Sequence, residues 1–247
     1  MTIRTSEAIV LRTWPFHEAD VLVSLFTRDY GKVRGVAKSG AKSHKRFGGA
    51  LEPMTRVRSS YSEKGRQEIV RLNSFETLWS PLAEPVDYGR VAALSLFAEV
   101  LEDALPEHDP QDAMFRLAAS TAEQALAGRC WLPVVYFSLW MSRLMGWLPS
   151  LETCIACGRS LAGSAAYFHA LTEGLFCGEH RRATYSELSP ASVRDAHQIL
   201  RQPITALSSE QWPRARAADL RRFAVLTLER HLERKLVTAA ALARIPA

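Results

Sequence analysis

The chain is poor in cysteine, with four among 247 residues, and it has no long apolar run. Three of the four thiols fall in metal-like spacing, which fits a reducing cytoplasm better than a disulfide scaffold. No stretch approaches the roughly 20 apolar residues of a membrane-spanning helix. The opening MTIRTSE also lacks the apolar centre of a signal segment. These absences lead to the expectation of a cytoplasmic protein without a membrane partner. Enzyme signatures are missing as well: there is no HExxH, no nucleophile elbow, and no GxGxxG between a strand and a helix. His17-Glu18 and His108-Asp109 have no third partner in view, and His197 and His231 fall on predicted helices. No catalytic set emerges, so no enzymatic activity is expected.

One near-miss sits at Gly35 to Ser43, which almost spells a phosphate-binding P-loop. Ala41 separates the second glycine from Lys42, whereas the motif needs them adjacent. The long helix expected after the lysine is replaced by His-Lys-Arg-Phe-Gly-Gly. Nucleotide hydrolysis is therefore rejected, and no nucleotide cofactor is expected.

What is present is a pair of ligand knuckles. Cys154-Ile-Ala-Cys157 is followed, after nineteen residues, by Cys177-Gly-Glu-His180. A CxxC turn aims two thiolates at one point, and a second knuckle closes a tetrahedron around a metal. The spacing predicts one structural zinc ion held by Cys154, Cys157, Cys177 and His180. Between the knuckles, Ala166–His169 and Gly174–Phe176 read as strands joined by a turn at Thr172-Glu173. A redox pair at Cys154 and Cys157 is the competing reading, but no βαβ context surrounds it. His169 is the rival fourth ligand. Cys130, alone beside Trp131-Leu132, reads as a small buried hydrophobe.

Charge is uneven along the chain. The net charge is +5, with 47% hydrophobic and 23% charged residues, ordinary for a folded protein. Residues 1–80 hold 14 Lys+Arg against 8 Asp+Glu, and residues 81–247 hold 17 against 18. The first 80 residues thus carry the whole positive excess, which points to a module that meets a polyanion. The loop from Lys38 to Gly49 supplies Lys38, Lys42, Lys45 and Arg46. Arg34, Arg56 and Arg58 on flanking strands are placed by period-2 alternation on the polar face, where they would line a groove for phosphates. Trp14, Phe16, Tyr30, Phe47 and Tyr61 are candidates for stacking on unpaired bases.

Patterning divides the chain into an α+β, multidomain arrangement. Ser6–Trp14, ending at Pro15, Val21–Phe26, Lys32–Ala37, Met54–Tyr61 and Ile69–Leu78 read as five short antiparallel strands, with Gly65 in a tight turn. Five such strands suit a small barrel of the OB-fold kind. From Pro85 the period turns helical, with Val91, Leu94, Ala98, Leu101 and Leu105 on one face. Asp109-Pro110 reads as a cap opening a helix that turns Met114, Leu117, Thr121 and Ala125 inward. Pro133 opens a helix, Val134–Met145, that is apolar nearly all round and ends at Gly146. Ser189-Pro190 and Asp219 open two more, the last with Leu220, Phe223, Ala224, Leu228 and Leu232 on its face. The expected domains are an OB-fold-like module at 1–80 and an α-helical domain at 81–247, with a zinc-ribbon-like insertion at 150–182.

This order of basic barrel, helical domain and zinc box resembles the RecO family of bacterial recombination mediators. The likeness is carried by Glu7–Leu11 with Glu18-Ala19-Asp20, by the Gly31-Lys32-Val33 to Lys42-Ser43 hairpin and loop, and by Gly146-Trp147 leading to Cys154 and Cys157. Family members usually close the box with a fourth cysteine, where His180 stands here. The resemblance implies binding of single- and double-stranded DNA, strand annealing, and help in loading the RecA recombinase onto strands coated by single-strand-binding protein. It implies RecR as a partner and a docking place for the acidic, hydrophobic tail of the coating protein on the helical domain, with Arg129 and Arg143 as candidates. An RNA-binding barrel with a zinc ribbon, or a metal-dependent enzyme using His169, Cys177 and His180, are the alternatives.

Overall fold

The computed structural model describes residues 2–64 and 68–245, apart from the side chains of His44 and Lys45. Gly65 lies outside the described residues. The chain forms two compact units, residues 1–128 and 129–247.

In the first unit, β1 (Thr2–Phe16), β2 (Asp20–Thr27), β3 (Gly31–Ala37), β4 (Arg56–Glu63) and β5 (Ile69–Trp79) close into a barrel. The strand order is β1-β2-β3-β5-β4, and β4 returns to pair with β1. The expectation of antiparallel pairing throughout does not hold. β3 runs parallel to β5, with Arg34 beside Ile69 and Ala37 beside Leu72. Parallel neighbours need a long crossover, and here the connection contains the short helix α1 (His44–Phe47) and all of β4.

The apolar run in β1 is buried on both faces. Ala8 and Val10 point into the barrel with Val23, Leu25, Val33, Val57, Tyr61 and Leu72. Ile9 and Leu11, which alternation sends outward, are also buried. The strand continues through Pro15 instead of stopping there. β4 pairs with β1 only as far as Ile9, and Pro15 faces Val21 of β2 alone, so its missing N–H costs no second ladder bond.

α2 (Tyr88–Ala104) packs against β1, and α3 (Asp112–Gln124) follows it. Leu94, Ala98, Leu101 and Leu105 are buried as their spacing predicts, but Val91 is 47% exposed. The Asp109 cap is not formed. Gln111 precedes the helix without a side-chain cap bond, and the Asp109 carboxylate instead accepts from the Gln111 amide at 2.8 Å. The chain is still committed to the barrel at that point, because the His108 N–H donates to the Lys32 carbonyl at 3.0 Å.

In the second unit, α4 (Trp131–Leu144) begins two residues before Pro133, whose lack of an N–H is harmless in the first turn. The helix is buried along most of its length, as its all-round apolarity requires. β6 (Ala166–His169) and β7 (Thr172–Phe176) form the hairpin, and β8 (Ser186–Leu188), too short to register in the pattern, pairs on the far side of β6. The turn is Ala170-Leu171, not Thr172-Glu173, since His169 already pairs with Thr172. α5 (Pro190–Ile199) is capped by the Ser189 side chain, which accepts from the Ser192 N–H. α6 (Ala218–His231) buries Leu220, Phe223, Ala224 and Leu228, leaving Leu232 half-buried. α7 (Val237–Ala243) closes the chain, and the Arg214 guanidinium donates to the carbonyls of Ala243 and Ile245. Among the described residues no helix is long and apolar enough to cross a membrane.

Candidate metal centre and nucleic-acid interface

The two knuckles meet. The ligand atoms of Cys154, Cys157, Cys177 and His180 all lie within 4.8 Å of one another, a set that could hold one metal ion. Cys157 Sγ is 3.9 Å from Cys177 Sγ, and Cys177 Sγ is 3.3 Å from His180 Nδ1. Backbone bonds shape each knuckle. The Gly158 N–H donates to the Cys154 carbonyl at 2.8 Å, and the His180 N–H donates to the Cys177 carbonyl at 3.0 Å. Gly158 closes the first turn with φ of +71°, a conformation that glycine adopts without steric cost. The Ile155 N–H donates to the Leu175 carbonyl, fastening the first knuckle to the hairpin. The Arg159–Glu179 ion pair at 2.6 Å spans the two knuckles.

The thiols are prepared unequally. Burial opposes ionisation of Cys154, but backbone bonds from Cys177, Ala156 and Cys157 hold its pKa below the ordinary thiol value. Burial likewise opposes ionisation of Cys177, and the backbone of His180 and Glu179 outweighs it. Cys157 goes the other way. The Arg159 backbone favours its thiolate, yet burial and its two thiol neighbours together push the pKa up. His169 is outside this group; its Nδ1 accepts from the Leu171 N–H, and its ring stacks on Tyr185. Cys130 is buried just ahead of α4.

The cations expected to form a phosphate groove separate into two groups. Arg34 is ion-paired with Glu107 at 3.3 Å and Glu102 at 3.8 Å. Arg56 pairs with Glu123 of α3 at 2.8 Å, and Arg58 pairs with Glu76 of β5 at 3.0 Å. Lys38 and Lys42 are exposed in the loop after β3 and have no ion pair among the described residues. Arg46 donates to the Lys38 carbonyl and to Ser43 Oγ, with its guanidinium over the Phe47 ring. The Lys45 side chain lies outside the described residues. The segment after Lys42 is a helix of four residues, not the long helix of a P-loop.

The basic loop rests on the β1–β2 turn. The Ala41 N–H donates to the Ala19 carbonyl at 3.1 Å, and the Ser39 N–H donates to the Asp20 carboxylate at 2.7 Å. Of the five candidate stacking aromatics, Phe47 and Tyr61 are buried and Tyr30 lies under Arg4. Trp14 and Phe16 remain half-exposed near this turn, with Arg12 over the Trp14 ring at 5.1 Å. Arg12 is absent from the cations expected on the sequence; its alternation with Trp14 and Phe16 is the signal that could have found it.

Arg129 lies two positions before α4 and Arg143 in its last turn. Arg129 pairs with Glu210 at 2.8 Å. Arg143 lies over the Trp140 ring and lines a cavity with Leu148, Pro149, His197 and Leu200.

Comparison with known proteins adds the following. Residues 1–81 match the family model described as Recombination protein O N terminal, and residues 85–239 match Recombination protein O C terminal. A DNA repair protein RecO from Koribacter versatilis is 49% identical over 243 residues, covering 98% of this chain and 99% of its own. Namesakes from Syntrophobacter fumaroxidans and Bifidobacterium animalis subsp. lactis are 36% and 33% identical. They match 72% and 86% of this chain, and 71% and 85% of their own. The two family models meet between residues 81 and 85, where strand gives way to helix, whereas the compact units divide after Gly128.

Proposed function

The chain belongs to the RecO family, and on that premise we propose that it is a DNA-binding recombination mediator that makes and breaks no covalent bond. It binds single- and double-stranded DNA, anneals complementary strands, and with RecR helps load RecA onto strands coated by single-strand-binding protein. The barrel serves as an OB-fold, a scaffold that presents strands and loops to oligonucleotides. The observation that carries this reading is the end of the barrel where the Lys38–Lys42 loop rests on the β1–β2 turn. Lys38 and Lys42 there have no ion pair among the described residues, and Arg12, Trp14 and Phe16 lie on the stretch of β1 that leads into that turn. Cations attract phosphates without regard to sequence, and the aromatic rings accept unstacked bases.

The Cys/His cluster holds one zinc ion. Two sulfurs about 2.3 Å from a tetrahedral zinc stand roughly 3.8 Å apart, close to the 3.9 Å between Cys157 and Cys177. Four protein ligands leave no open position, so the ion stabilises the second unit and activates no water. The coating protein's acidic tail docks on the helical domain, with Arg143 and its apolar neighbours the better-placed candidate and Arg129 the second. The protein acts in the cytoplasm, at the nucleoid.

The test is strand annealing by the purified chain. Lys38→Ala, Lys42→Ala and Arg46→Ala together should weaken DNA binding for all sequences. The salt slope on single strands should fall by about 0.7 for each phosphate that is no longer neutralised. Annealing should proceed without ATP. Strict dependence on ATP hydrolysis, abolished by Lys42→Ala alone with DNA binding intact, would replace this reading with nucleotide chemistry.

A further inference from the structure

The division into compact units redistributes the charge. Residues 1–128 hold 16 Lys+Arg against 17 Asp+Glu, and residues 129–247 hold 15 against 9. The barrel's positive excess is matched by acids on and around α2 and α3. Glu102, Glu107, Asp112 and Glu123 pair with Arg34, Arg28 and Arg56 of the barrel. The net positive charge therefore resides in the second unit.

That charge has a focus. Several second-unit cations are already engaged: Arg129 with Glu210, Arg159 with Glu179, Arg216 with Asp195, and Lys235 with Glu229. Arg214 and Arg221 lie over Trp131. Arg194, His197 and Arg201, like Arg182 and Arg222, are not so engaged among the described residues, and the first three share one cavity. They follow helical spacing along one face at α5 and just past it, and none of them makes an ion pair among the described residues. They line an open cavity of about 550 Å³ together with Gln198, Gln202 and Ser160 and with apolar Leu151, Ala162 and Val193, and His197 also borders the Arg143 cavity. Among the described residues Glu152 is the one acid on its wall, and Asp195 is held by Arg216 at 2.7 Å.

We infer that this α5 face is a second binding surface for the phosphate backbone of a DNA strand. Unpaired guanidinium groups alternating with amide and hydroxyl donors suit phosphate and sugar oxygens. The inference rests on the annealing reading above. Holding both complementary strands on one chain calls for a cationic surface for each, and three arginines expected to build the first are already paired with carboxylates.

The experiment compares full-length variants using two complementary labelled oligonucleotides. Arg194→Gln with Arg201→Gln should leave the affinity for one strand within about threefold of the parent. It should lower both capture of the second strand and the annealing rate by about tenfold, a factor equal to 1.4 kcal/mol. Arg194→Lys with Arg201→Lys keeps the charge and should restore both. Unchanged capture and annealing in the glutamine variant would sink the inference. If the loop variant at Lys38, Lys42 and Arg46 still loses binding in the same assay, the barrel reading stands. A loss confined to an acidic, apolar peptide probe, with DNA capture intact, would also overturn it and assign the face to a protein tail.

Discussion

Cys154, Cys157, Cys177 and His180 owe their legibility to spacing, because a knuckle is a local structure whose ligands lie within four residues. His169 could be set aside only in three dimensions, where its ring turns to Tyr185. Purified protein should carry about one zinc per chain. His180→Ala and Cys177→Ser should lose it and melt at lower temperature, while His180→Cys and His169→Ala should keep it. Metal analysis with thermal melting checks all four, and retention in His180→Ala would return the fourth ligand to His169. Asp219 shows what spacing does not reveal. Patterning reads it as a helix start, yet its carboxylate also accepts from the Ser189 N–H at 2.7 Å, the Leu220 N–H at 2.9 Å and the Ser192 hydroxyl. Burial alone would raise its pKa, but the Ser192 and Ser189 donors outweigh it and hold the carboxyl below the usual range. A depressed carboxylate contributes stability above the unfolded value near 3.9, and that contribution is lost as pH falls through the lower folded value. Asp219→Asn should cost about 1–3 kcal/mol at neutral pH. Its deficit in denaturant titrations should shrink as the pH is lowered below about 4.

At the scale of elements, strands and helices are legible wherever one face is apolar and the other polar. The errors fall where a second layer intervenes. Alternation cannot say whether Ile9 and Leu11 face solvent or a helix, and it carries no sign of strand direction, so the parallel β3–β5 pair is invisible to it. The missing Asp109 cap has the same origin, since residues 106–111 are held by the barrel before the helix can begin. Gly31 measures that hold. Its φ is +71°, and an added Cβ would come within 2.3 Å of the Asp109 backbone nitrogen. Gly49 has φ of +70°, and among the described residues nothing lies within 4 Å of such a Cβ. Gly49→Ala should therefore cost only the backbone strain, about 1 kcal/mol. Gly31→Ala should cost clearly more in urea melts, and equal losses would mean that the 106–111 segment yields freely.

For the whole molecule, the boundary after Gly128 is not legible, because composition changes where strand becomes helix and compactness does not. The barrel surface carries the reason. Phe26 packs on Phe115 at 5.6 Å, Ser24 donates to Glu102, and the buried Lys32 ammonium donates to the Glu102 carbonyl at 2.6 Å. A fragment ending at residue 80 strips these partners away, and burying a side chain such as Phe26 contributes about 1.5–3 kcal/mol. The 1–128 fragment should melt cooperatively, with the 1–80 fragment at least about 10 °C lower or aggregated. Matching melting temperatures would show that α2 and α3 contribute nothing to the barrel.

The β3–β5 pairing also matters on the ribosome. β3 is complete at Ala37, but its parallel neighbour starts only at Ile69. At about 5–20 residues per second, the nascent chain carries an unpaired strand edge for roughly 2–6 s. Such edges recruit other chains unless charges interrupt them. In Gly31-Lys32-Val33-Arg34-Gly35 the charges come at every second position. The same Lys32 and Arg34 that later seize Glu102 and Glu107 thus guard the growing chain until the barrel's last strand arrives.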